Sequence, residues 1–180
     1  MEPSHVRAGP TGILRLVVIT AVTAAAASLA PGMTNSARAQ TSVGGVCGWS
    51  GRDTITPGLT ITPREIVFSF TGTVGPCHLP DGSTQQGNDA GSGRATASCS
   101  GGNGSYVETI TWNNGKRSTL TATFVFADGV ATATAKVTDG EFAGMQVRDV
   151  EFVTPDDAAA CASAGVTGAS YDGVLAFGGP

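Results

Sequence analysis

From residue 54 onward the chain alternates apolar and polar positions with a period of two, the signature of half-buried strands. Ile66, Phe68, Phe70 and Val74 fall on one face of a strand expected over about 65–75, and Ser69, Thr71 and Thr73 fall on the other. Residues 76–93 break the pattern. They are rich in Gly, Ser, Asn, Asp and Gln with almost no apolar residue, which predicts a long surface loop. Alternation resumes over 94–99 with Ala95, Ala97 and Cys99 inward.

The sharpest local prediction is a three-stranded meander over 106–137. Asn113-Asn114-Gly115 separates two alternating runs, and the turn length decides which residues share a face. A two-residue Asn114-Gly115 loop would set Ile110 against Thr119 and expose Trp112. A three-residue loop with Gly115 left-handed puts Tyr106, Ile110 and Trp112 on the face of Leu120, Ala122 and Phe124, so this register is preferred. Asp128-Gly129 then makes a two-residue turn that pairs Phe126 with Ala131, Phe124 with Ala133, Ala122 with Ala135 and Leu120 with Val137. Thr119, Thr121 and Thr123 fall beside Thr132 and Thr134 on the solvent face.

A further strand is expected over about 145–153. Thr154-Pro155-Asp156-Asp157 reads as a short helix start with a Thr cap, and a last strand over 166–177 carries Ala169, Tyr171, Leu175 and Phe177 on one face. Short strands separated by turns, with one brief helix, predict an all-β fold: two antiparallel sheets packed as an immunoglobulin-like sandwich.

The N-terminus changes the compartment. Arg7 and Arg15 precede an apolar, Thr and Ser run from Leu16 to Leu29, and Ala37-Arg38-Ala39 supplies a small-x-small cleavage pattern. The expected organisation is a signal peptide over 1–39 and a single domain over 40–180, secreted to the extracellular space. The run is shorter than the roughly 20 residues that span a bilayer, so no membrane insertion is expected. Cleavage removes three Arg and one Glu and takes the net charge from -4 to -6. With Lys116-Arg117 the sole adjacent basic pair, nucleic acid is not an expected partner.

Cys47, Cys77, Cys99 and Cys161 form an even set in an exported chain and predict two disulfides. Zinc is the rival, disfavoured because no C-x-x-C spacing occurs and His78 is the sole histidine after residue 39. A strand over about 54–62 that turns at Pro63 and pairs with 65–75 brings Cys47 towards Cys77, leaving Cys99 for Cys161. A Cys77 to Cys99 bond is disfavoured if 65–75 and 91–99 form a hairpin, since those residues lie at its opposite ends.

The order of Cys47, Gly75-Pro76-Cys77, Ala97-Ser98-Cys99-Ser100, Thr111-Trp112-Asn113-Asn114-Gly115, Gly140-Glu141-Phe142-Ala143-Gly144, Cys161 and a closing Gly-Val-Leu-Ala-Phe strand resembles small secreted four-cysteine β-sandwich proteins of actinobacteria. The resemblance implies a sandwich and carries over no catalytic residue.

Candidate chemistry is sparse. A His-based nucleophile would need His78, a lone imidazole in the expected loop. Glu108 lies on the face of Ile110 and Trp112, where a carboxyl would titrate high, and the simpler account puts it at the rim of the sandwich in reach of water or a cation. Asp81, Asp89, Asp156 and Asp157 lack calcium-loop spacing. Gly115-Lys116-Arg117-Ser118 lacks the upstream Gly of a phosphate loop and already makes a hairpin turn. Trp49 is either an exposed sugar platform or a cover for the Cys47 disulfide. No catalytic, metal or cofactor residue is therefore assigned. The expected function is a secreted, non-enzymatic binding module whose partner is a protein or carbohydrate in the medium or at the cell surface. The alternatives are a small hydrolase and a protease inhibitor presenting residues 76–93.

Overall fold

The computed structural model describes residues 43–179, so the expected signal peptide lies outside the described residues. Eight strands follow one another: β1 (Val43–Leu59), β2 (Arg64–His78), β3 (Thr84–Ser98), β4 (Gly101–Trp112), β5 (Arg117–Ala127), β6 (Val130–Gly140), β7 (Gln146–Pro155) and β8 (Val166–Gly178). Each pairs antiparallel with the next, and β1 also pairs with β8. The sheet is a closed up-and-down barrel.

The expected two-sheet sandwich is therefore wrong, and the error traces to β3. Its sequence, TQQGNDAGSGRATAS, reads as a loop because Gly87, Gly91 and Gly93 occupy positions where an apolar side chain was expected. Two of them, Gly91 and Gly93, make room for rings on β2. A side chain at Gly91 would run into Phe70, and one at Gly93 into Phe68. Most of the supposed 76–93 loop is strand, hydrogen-bonded to β2 on one side and β4 on the other. With β3 in place no sheet edge is left there, so the eight hairpin-linked strands curl until β8 meets β1.

The meander register agrees with expectation. Tyr106 pairs with Ala122, Phe124 with Ala133, Ala122 with Ala135 and Leu120 with Val137. Trp112 N–H donates to the Lys116 carbonyl across a three-residue loop in which Gly115 has φ +80°. Thr121, Thr123, Thr132 and Thr134 are exposed on the outer face. Both disulfides form as expected, Cys47 to Cys77 and Cys99 to Cys161. The helix differs: Thr154 is still in β7, and Asp157 caps a five-residue 3-10 helix, η1 (Ala158–Ala162), accepting from the backbone N–H of Ala159 at 3.0 Å and of Ala160 at 3.3 Å.

The two ends of the barrel are unlike. At the end holding the β2–β3, β4–β5 and β6–β7 turns, Trp112, Phe142 and Phe177 pack ring against ring, with centroids 5.4 to 6.2 Å apart. The Trp112 indole donates to Ser118 Oγ at 2.8 Å, and the Cys47–Cys77 bond joins β1 to β2 here. This end is plugged. The opposite end holds the β1–β2, β3–β4 and β5–β6 turns and η1, and its buried apolar cluster is smaller: Ile55, Ile66, Ala95 and Ala97.

Candidate functional site

Small residues on one wall and rings on the other leave a cavity of about 310 Å³ inside the barrel towards the η1 end. Its upper wall is apolar, formed by Ile55, Ile66, Phe124, Phe126, Ala131 and Val166 among others. The Cys99–Cys161 bond links the β3–β4 turn to η1 at its mouth. Eight strands enclose an interior that side chains fill or that holds one small ligand, and this volume matches the lower end of ligand pockets, roughly 300 Å³.

The floor is acidic. Asp53 on β1 and Asp149 and Glu151 on β7 line the cavity, beside Trp49, Tyr106 and Tyr171. Closer to the plugged end lie Asp89 on β3 and Glu108 on β4, which are 4% and 1% exposed. Rings hold two of these carboxylates: Asp89 Oδ2 accepts from the Trp49 indole at 3.1 Å and from the Tyr171 hydroxyl at 3.2 Å, while Asp149 Oδ2 accepts from Tyr106 at 2.9 Å. Asp89 Oδ1, Glu108 Oε1 and Glu151 Oε2 are buried without a hydrogen-bond partner. Every charged side chain in the fully buried set is acidic. Arg64, the one basic residue not exposed among those described, is held by the Gly58 carbonyl.

Burial raises the pKa of all five carboxyls, because the charged form loses its water. Asp53 is pushed to about 7 by burial and then by the charge of Asp89. Glu151 is pushed to about 8 by burial and then by Asp149, Asp53 and Asp89. Glu108 is raised well above the ordinary range by burial, with Asp89, Asp149 and Glu151 adding to the effect. The phenols of Tyr106 and Tyr171 are raised too, so both remain donors at neutral pH. Acids whose pKa burial has raised, together with phenols, present hydrogen bonds at the base of an apolar cup, and a cation entering the cup would favour loss of protons from the acids.

The residues singled out from the sequence are dispersed. His78 is exposed at the end of β2, opposite Val46 and Thr84, remote in the register from the floor. Glu108 is not at a rim: the strand carries it into the barrel interior, and the expectation that its carboxyl reaches water is overturned. Trp49 is 5% exposed, so it is no surface platform. Asp156 pairs with Arg52 at 2.5 Å, Asp157 caps η1, Asp81 binds Ser83 within a turn and Asp89 is interior, so the four do not converge. Among the described residues no group of three or more His, Cys, Asp or Glu side chains is placed to hold a metal ion.

Asp53, Asp149 and Glu151 were missed as site residues, although strand parity marks them. Asp53 is two positions from Ile55, and Asp149 and Glu151 lie between Val147 and Val153 on the inward face of β7. No protein-family model matches the chain, and no curated protein matches it.

Proposed function

We propose that the chain is an exported, non-enzymatic binding module that takes one small, mainly apolar molecule into the barrel beside η1. The observation that carries this reading is the cavity of about 310 Å³, walled by apolar side chains and floored by hydrogen-bonding groups. Two disulfides fit an oxidising compartment, in line with export by the sequence over 1–39. The outer faces of the strands mix Thr, Ser and charged residues with exposed Val107, Val125, Val150, Phe152 and Val174, while the interior holds the aromatic and aliphatic core together with the acidic floor. An interior ligand accounts for the cavity, which a surface-binding protein or carbohydrate leaves unexplained.

Titration with the neutral fluorophore Nile red tests the reading. Saturable binding near 1:1 is expected, and Ala131→Phe, which places a ring in the cavity wall, should abolish it while circular dichroism stays that of a β-barrel. Absence of saturable binding, or binding that Ala131→Phe leaves unchanged, overturns it.

Acid–base catalysis is a second reading, favoured by two cavity carboxyls titrating near neutrality, Asp53 and Glu151. It requires turnover. Hydrogen exchange at the α-carbon of a cavity-sized cyclic ketone such as 2-decalone, followed by NMR in D₂O and lost in Glu151→Gln, would support it. Exchange at the buffer rate would remove it.

A further inference from the structure

Among the described residues no basic side chain reaches the acidic floor, although most of the barrel is assembled around it. Five strands' worth of inward positions converge there: Asp53 from β1, Asp89 from β3, Glu108 from β4, Asp149 and Glu151 from β7, and Tyr171 from β8. Glu108 is 1% exposed and Asp89 4%, and each points an unpartnered oxygen into this interior layer. Burying a carboxyl without a partner costs on the order of 1–3 kcal/mol, and apolar residues at these positions would avoid that cost. Aromatic faces crowd the same layer. Trp49 and Tyr171 are 4.7 Å apart between centroids, and Phe70 meets Tyr106 edge to face at 5.4 Å.

We propose that the molecule held by the barrel is an organic ammonium, its charged head among Asp53, Asp149 and Glu151 beneath the rings of Trp49, Tyr106 and Tyr171, its apolar body against the upper wall. Carboxylates supply the counter-charge and charge-assisted hydrogen bonds, and ring faces supply the cation–π attraction that suits an alkylated nitrogen. The same side chains are not placed to hold a metal ion. An anionic ligand would meet like charge, and a neutral one could take hydrogen bonds from the floor but would supply no counter-charge for its ionised carboxyls. Because the carboxyls titrate high without a cation, entry of the ammonium draws protons from them: each proton leaves a carboxyl oxygen for solvent as the N–H or N–alkyl cation takes its place beside that oxygen.

This inference rests on the cavity-binding reading, and a matched ligand pair separates the two. The full chain with both disulfides formed is titrated calorimetrically with 4-phenylbutylammonium and with 4-phenylbutan-1-ol, at pH 6 and pH 8.5, in buffers of differing ionisation enthalpy. The ammonium is expected to bind at least about tenfold more tightly than the alcohol at pH 8.5, where Asp53 and Glu151 are mostly ionised, and to bind more weakly at pH 6, where its entry must release their protons. Glu151→Gln and Asp149→Asn should each shrink the preference for the ammonium over the alcohol. Equal binding of the two ligands at pH 8.5, or ammonium binding at pH 6 without proton release, overturns the cation assignment and leaves the cavity reading standing. Should neither ligand bind, both fall.

Discussion

Tyr106 donates its hydroxyl hydrogen to Asp149 Oδ2 at 2.9 Å, tying β4 to β7 across the interior of the barrel. The two strands share no ladder, so this bond spans space that backbone pairing does not control. It also fixes which way the Asp149 carboxyl faces in the cavity floor. Tyr106→Phe keeps the ring against Phe70 and Phe124 but leaves that oxygen without its donor. The variant should lose about 1–2 kcal/mol by urea denaturation and shift Asp149 to higher pKa, read by carboxyl-carbon NMR. A variant as stable as the parent would show that the bond does not form in solution.

Stability should fall as pH rises from acid to mildly basic, the opposite of an ordinary acidic protein. The folded pKa of each interior acid is raised, so between about pH 4 and 8 the folded chain holds more protons than the unfolded one. Stability is therefore fully present below the ordinary carboxyl range and is lost as pH passes through about 7 for Asp53 and about 8 for Glu151. The midpoint of thermal unfolding should be higher at pH 5 than at pH 8.5. Glu108→Gln, which cannot ionise, should flatten the slope. A midpoint that rises over this range would mean that the acids are paired with something that stabilises their charge.

The meander register predicts which side chains matter for stability. Leu120 is 1% exposed on the inward face of β5, and Thr121 next to it points outward. Leu120→Ala should cost about 2–5 kcal/mol and Thr121→Ala well under 1 kcal/mol. Phe124→Ala should cost less than a fully packed ring would, because Phe124 is half-buried and borders the cavity. Equal losses at Leu120 and Thr121 would place the wrong face inward.

Much of the fold was legible in the strands that carry apolar side chains inward. From Tyr106 to Val137 the large-against-small pairing defines turn lengths and register, and both match the structure. What was hidden had one physical cause: a strand can face inward with glycine. In β3 the interior volume belongs to Phe68 and Phe70 reaching from β2, so the strand beneath them shows no apolar period. Missing it removed the link between β2 and β4, and with it the argument for closure. The site was hidden by a related assumption, that inward positions are apolar. Asp89, Glu108, Asp149 and Glu151 break that rule together, and only the closed barrel brings them into one layer. Taken singly, Asp89 read as a loop residue and Glu108 as a rim residue, while Asp149 and Glu151 did not stand out inside the strand expected over 145–153.

The two disulfides should differ in what they protect. Cys47 and Cys77 face each other directly across the β1–β2 ladder at the plugged end, whereas Cys99 and Cys161 join the β3–β4 turn to η1 across the mouth of the cavity. They span 30 and 62 residues of sequence, so removing either should cost roughly 2–5 kcal/mol through the freedom gained by the unfolded chain. Only one should alter access to the interior. η1 is five residues long with no buried residue, held by the Asp157 cap and the Cys161 bond, so a Cys99→Ala, Cys161→Ala variant should let it lift. In that variant the amides of Ala160, Ser163 and Gly165 should exchange with solvent faster, and an interior ligand should both enter and leave faster with little change in affinity. The Cys47→Ala, Cys77→Ala variant should show the stability loss with unaltered ligand rates, because the strands around the mouth keep their pairing. If stopped-flow binding gave the same rates in both variants, η1 would not be the barrier at the mouth, and entry would have to run past the Asp128-Gly129 turn instead.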